Sequence, residues 1–206
     1  MNLSSLYDIN DTFWELDEKE QNEILSNILD YANKKGKSSF ETEVTKLFNL
    51  EEDDSPITLV YQALSTDCPD WSLFFKNEII RGFEFAKKSS SRKVIFNNIN
   101  ETSYASNSEI DSKVRGEIVD YLEQHLETQD IRILYESIGL IETWILKEPK
   151  RFQSSIKKLQ EFLRHDHWRI RNIAHICLVS FNAVPQNYNP SIMDRIRISL
   201  FSNSEF

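Results

Sequence analysis

"LRHDHWRIRNIAHICL", residues 163–178, sets three histidines, three arginines, an aspartate and a cysteine among apolar residues. It reads either as a site or as a helix with its cap. Ile170, Ile173, Ala174, Cys177 and Leu178 recur every three or four positions, the spacing of one buried helix face. The histidines lack ligand spacing. His165 and His167 stand two apart at a helix start and face different directions, and His175 lies more than two turns beyond His167. A helical zinc pair needs imidazoles four apart and a third ligand. The stretch therefore reads as architecture, and no metal is expected.

Working outward, residues 122–141, "LEQHLETQDIRILYESIGLI", superimpose without a gap on residues 159–178, "LQEFLRHDHWRIRNIAHICL", at an offset of 37. Leu122 meets Leu159, Leu126 meets Leu163, Ile133 meets Ile170, Ser137 meets Ala174 and Ile141 meets Leu178. Helical hairpins that recur at such a period bury their apolar faces against their neighbours, as in α-solenoids. Small residues at 137 and 174 permit close approach of paired helices.

Phe162-Leu163, Asp166, Ile170-Arg171, Ala174 and Leu178 together resemble a HEAT repeat. The preceding repeat keeps Ile133, Ser137 and Ile141 but has Leu134 in place of the arginine. The resemblance covers residues 110–183. It implies a superhelix of antiparallel helical hairpins and gives Asp166 and Arg171 a structural role, a polar contact between turns, with Trp168 beside them in the architecture.

The rest of the chain follows the same pattern. Asp17 with Glu20 predicts a capping box before Ile24, Leu25, Ile28, Leu29 and Ala32, with Gly36 as the stop. Ser38 and Glu41 predict a second cap, Ser55-Pro56 a third, and Asp70 opens a helix whose wide face of Trp71, Phe74, Phe75, Ile79, Phe83 and Ala86 predicts burial on two sides. Residues 87–108, rich in Ser and Asn, read as an exposed connection with at most a brief strand over Val94-Ile95-Phe96. Helices then follow over 109–127, 130–147, from Pro149, from about His167, and from Asn189-Pro190 with Ile192, Met193, Ile196 and Leu200 as its stripe. The expected fold is all-α, a HEAT-like α/α superhelix of about nine helices. It is read as one domain over 1–206: acidic hairpins over 1–88, an exposed loop over 89–108, and HEAT-like hairpins over 109–206.

With 4 Gly and 5 Pro in 206 residues, few positions would break long helices, which agrees with this class. No run of about 18 apolar residues and no signal-peptide pattern is present, so neither membrane insertion nor export is expected. Cys68 and Cys177 stand far apart without motif spacing, which fits a reducing, cytoplasmic setting. The net charge of −9 is uneven: residues 1–60 hold 14 acids against 5 bases, while residues 147–206 hold 5 against 10. Such a field steers partners without naming them.

Function classes narrow accordingly. Four glycines leave no phosphate-binding loop, neither cysteine has a nucleophile's setting, and no cofactor is expected. Charge and class point to a non-catalytic protein-binding module with a basic protein partner, in its sharpest form an immunity or antitoxin-type inhibitor. The candidate contacts are the acidic run Glu51, Glu52, Asp53 and Asp54 and the exposed polar edge Arg132, Glu136, Arg169 and Asn172. A first alternative is nucleic-acid binding through Lys157, Lys158, Arg164, Arg169, Arg171, Arg195 and Arg197, since HEAT-like DNA glycosylases hold a duplex in a basic concavity; the acidic remainder of the chain opposes it. A second is a HEAT-like lyase or another enzyme.

Overall fold

The computed structural model describes residues 2–52, 55–106, 110–145 and 149–201. Among them the fold is all-α: no strand occurs, and eleven helices of eight residues or more accompany one four-residue turn of helix and two 3-10 turns. The chain divides into two compact units, Met1–Ile118 and Val119–Phe206, with the boundary inside a helix rather than at 89–108. The N-terminal unit carries 22 acidic residues against 13 basic ones and the C-terminal unit 11 of each, so the whole net charge lies in the first.

The N-terminal unit holds α1 (Leu6–Phe13), α2 (Glu18–Lys35), α3 (Lys37–Leu47), α4 (Ile57–Ser65), α5 (Cys68–Ala86), α6 (Arg92–Asn100), α7 (Ser103–Ser106) and the start of α8 (Ser112–Gln124). The capping box of α2 is present in full: Glu20 N–H donates to Asp17 Oδ1 at 2.9 Å and Asp17 N–H to Glu20 Oε2 at 3.2 Å. Gly36, at φ 81°, ends α2 and directly precedes α3. A residue with a Cβ is strained there, which is why the stop is glycine. The cap predicted at Ser38 is not used, because α3 already starts at Lys37, and Glu41 instead accepts a hydrogen bond from Asn77 Nδ2 at 2.7 Å. Likewise α5 starts at Cys68, two residues before the predicted Asp70.

The wide face of α5 is buried as its breadth predicts: Trp71, Phe74, Phe75, Ile79, Phe83 and Ala86 are all inside. α5 packs against α3, α4, α6 and α7. Phe40, Trp71 and Phe74 meet edge to face or tilted at 5.4–6.4 Å. One carboxylate lies in this core. Glu78 is 1% exposed, accepts from Tyr61 Oη at 2.7 Å and takes both arms of Arg81 at 2.9 and 2.5 Å, which keeps a buried charge paired.

The exposed loop expected over 89–108 is corrected. Residues 92–100 form α6, which buries Ile95, Phe96, Asn98 and Ile99, and Ser103–Ser106 forms α7; no strand covers Val94-Ile95-Phe96, and residues 107 and 108 lie outside the described ones. The stretch is polar for a structural reason. Asn98 Nδ2 donates to the carbonyls of Leu50 and Glu52 at 2.9 and 3.0 Å, tying down the turn that follows α3. Close packing completes it: a Cβ on Gly82 of α5 would lie 2.3 Å from Ile99 Cγ2, so α6 approaches α5 only because residue 82 has no side chain.

The C-terminal unit takes the end of α8, a 3-10 turn at His125–Glu127, α9 (Ile131–Ile145), α10 (Pro149–Phe162), α11 (Trp168–Ser180) and α12 (Ile192–Phe201). Asp130 caps α9, its Oδ1 accepting from the N–H groups of Arg132 and Ile133 at 3.0 and 3.2 Å. α9 buries Ile133, Leu134, Ile138, Leu140, Ile141, Trp144 and Ile145. Each fully buried aliphatic contributes about 1.5–3 kcal/mol relative to exposure. α11 packs on both α9 and α10, with Ser137 and Ala174 fully buried and Cys177 Sγ 3.7 Å from the Ile138 carbonyl.

Candidate protein-binding surface

The apolar stripe expected on the last helix, α12, stands in solvent: Ile192 is 76% exposed, Leu200 67%, Met193 57% and Ile196 46%. Asp194 is the buried residue of this helix, at 5%. At 100° per residue, 192, 193, 196 and 200 fall within about 100° of one another, and 194 projects to the far side.

Arg171 of α11 sets this orientation. Its Nε donates to Asp194 Oδ2 at 2.9 Å and its Nη2 to Oδ1 at 2.6 Å, a two-armed carboxylate contact. The remaining arm, Nη1, reaches the carbonyls of His165 and Asp166. The contact with Asp166 thus runs through its main chain, and the carboxylate partner of Arg171 is Asp194. The Arg171 guanidinium holds the Asp194 carboxyl below the usual aspartate range, and that carboxylate raises the arginine in turn. Ser191 Oγ caps α12 by accepting from Asp194 N–H at 3.0 Å. On α11, Ile176 and Val179 also face outward, at 47% and 57%.

In residues 163–178 the polar side chains contact one another around the start of α11. His167 is the N-cap position of α11, and its N–H donates to His165 Nδ1 at 3.0 Å. Trp168 is half-buried, stacked on His167 with ring centroids 6.5 Å apart and covered by the Arg169 guanidinium at 5.0 Å. His175 lies against the Tyr188 ring, and burial lowers its pKa. Cys177 is fully buried, and that burial pushes its thiol far up. Among the described residues no group of three or more His, Cys, Asp or Glu is placed to hold a metal.

The predicted contact residues are scattered and largely engaged. Glu51 accepts from Ser89 Oγ, and Glu52 accepts from Tyr7 Oη at 2.8 Å. Burial, helped by that carboxylate, pushes the Tyr7 hydroxyl up to about 12. Asp53 and Asp54 lie outside the described residues. The exposed edge expected at Arg132, Glu136, Arg169 and Asn172 is corrected. Glu136 is buried and paired with Arg132 at 2.7 Å, and Arg132, Arg169 and Asn172 are half-buried. The corrected positions lie on helix faces turned partly into the C-terminal unit, where long side chains spend their charge on one another. Lys157 and Arg164 remain exposed and line an open groove with Tyr188 and Asn189.

The stripe of α12 is legible in the sequence, but the side it presents to solvent is not. The available signal was Asp194 opposite the stripe, with the Arg171 that answers it 23 residues earlier. Among the described residues, no helix is long and apolar enough to cross a membrane. Comparisons with protein-family models, curated proteins and solved structures give no match for this chain.

Proposed function

We propose that this chain is a non-catalytic protein-binding module, built in its C-terminal part as a short α-solenoid of HEAT-like hairpins, and that it grips its partner with the outward stripe of α12. The carrying observation is that stripe: Ile192, Met193, Ile196 and Leu200 stand in solvent while an ion pair holds Asp194, on the far side of the same helix, inward. Exposed apolar residues gathered on one helix face are the kind of surface that a partner protein covers. Support for the repeat comes from burial in register at the offset of 37. Leu122 and Leu159, Leu126 and Leu163, Ile133 and Ile170, Ser137 and Ala174, and Ile141 and Leu178 are buried pair by pair. The acidic N-terminal unit favours a basic partner, and an immunity or antitoxin-type inhibitor is the sharpest form of this reading.

Nucleic-acid binding is the second reading, favoured by the groove that Lys157 and Arg164 share with Tyr188 and Asn189. The two are separated by capture from native lysate at low and moderate salt, with bound protein and nucleic acid both quantified. A single basic protein held in stoichiometric amount supports the first. Nucleic acid that salt releases, and that Lys157→Ala/Arg164→Ala no longer retains, overturns it.

A further inference from the structure

In the N-terminal unit, α1 presents two faces. Leu6 and Phe13, seven residues apart, are fully buried and fix the helix in place. The opposite face carries Tyr7, Asp8, Asp11 and the C-cap Trp14, which helical geometry gathers within about 120° of one another, and Glu15 follows in the turn. All five side chains are exposed, Trp14 by 56% and Tyr7 by 41%.

Both aromatics are held before any partner arrives. Tyr7 Oη donates to Glu52 Oε2 at 2.8 Å and its ring lies against Phe48 at 5.8 Å, while the Trp14 indole meets Phe13 edge to face at 5.0 Å. Side chains fixed in this way lose little freedom when they are covered, and tryptophan and tyrosine are the residues on which protein interfaces most often turn.

Charge names the chemistry of what covers them. Among the described residues, Asp8, Asp11 and Glu15 form no ion pair and no side-chain hydrogen bond. Residues 1–18 contain no lysine, arginine or histidine, and the unit as a whole holds 22 acidic residues against 13 basic ones. Arginine answers both features at once, because its guanidinium stacks on aromatic rings and carries the opposite charge. A phosphate backbone meets the same field as repulsion. We infer that the outer face of α1 docks an arginine-bearing segment of a basic partner protein, with Tyr7 and Trp14 as its anchors and Asp8, Asp11 and Glu15 as the counter-charges. The inference rests on the reading of this chain as a protein-binding module and gives it a second surface besides the stripe of α12.

The test is an NMR titration of the full chain with hexa-arginine, hexalysine and an oligothymidylate at low and moderate salt. Hexa-arginine should bind at low salt with a Kd of about 1 mM or tighter, moving the Trp14 indole and the α1 amides first, and hexalysine should bind more weakly. Trp14→Ala, which leaves the charge unchanged, should weaken hexa-arginine about fivefold or more at an unchanged melting temperature. Asp11→Asn/Glu15→Gln should weaken it and flatten its salt dependence. Ile196→Ser/Leu200→Ser alters the stripe of α12 without adding charge and should bind the peptide as the wild type does, so a failure at α12 and a failure at α1 are read separately. Equal binding by Trp14→Ala, equal binding of hexalysine, peptide binding that leaves the Trp14 indole unmoved, or an indole shifted by the oligothymidylate instead would each overturn the inference.

Discussion

Arg171 and Asp194 meet through two hydrogen bonds, at 2.9 and 2.6 Å, and Asp194 is the buried residue of α12 while Ile192, Met193, Ile196 and Leu200 face solvent. Asp194→Ala removes the carboxylate and leaves a half-buried guanidinium without its counter-charge. The expected cost is about 2–4 kcal/mol in urea unfolding. Hydrogen exchange should quicken first in residues 192–201, and an unchanged exchange pattern would contradict the anchoring role.

The same pair sets an acid limit. The carboxyl of Asp194 is held below its unfolded value, so its contribution is present above the unfolded value, near pH 4, and is lost as pH falls through the folded value. Protection of α12 amides should therefore decline below about pH 4, and Asp194→Asn should remove that part of the pH dependence.

Gly82→Ala should destabilise the N-terminal unit by about 1–3 kcal/mol, because the new methyl would sit inside Ile99. Ile99→Ala in the same chain removes both atoms that clash most closely, Cγ2 at 2.3 Å and Cδ1 at 2.9 Å. The double variant should be less destabilised than the sum of its parts. Strict additivity in denaturant titrations would count against close approach at this point.

Asn98→Ala should expose the turn near residues 50–52 to proteolysis and cost about 1–3 kcal/mol, since two carbonyls lose their donor. In the wild-type chain, limited proteolysis should spare residues 92–100, where α6 is packed, and cleavage there at the rate of an open loop would contradict the structure.

Most of the helices were legible because their signals are local. Asp17 with Glu20, Gly36 and Asp130 act within one turn of the chain, and the stripes of α5, α9 and α11 name the residues that are buried. What escaped the sequence depends on partners distant along the chain. The asparagines and serines of 87–108 look like a loop until Asn98 is seen bound to carbonyls 46 and 48 residues away. The stripe of α12 looks like a core face until Arg171 is seen to draw Asp194 inward. Glu136 looks like surface charge until Arg132, one turn away on α9, is found against it. Ser55 looks like a cap before proline, yet its buried hydroxyl makes no hydrogen bond and α4 starts without a side-chain cap.

The most direct test of the binding surface is quantitative capture of the partner protein by the wild-type chain and by Ile196→Asp/Leu200→Asp. Both side chains are exposed, so the variant should melt within about 1 °C of wild type. Loss of the captured protein by about tenfold or more at unchanged melting temperature is the predicted result. Equal recovery of that protein by both chains would contradict the assignment of α12 as the gripping face.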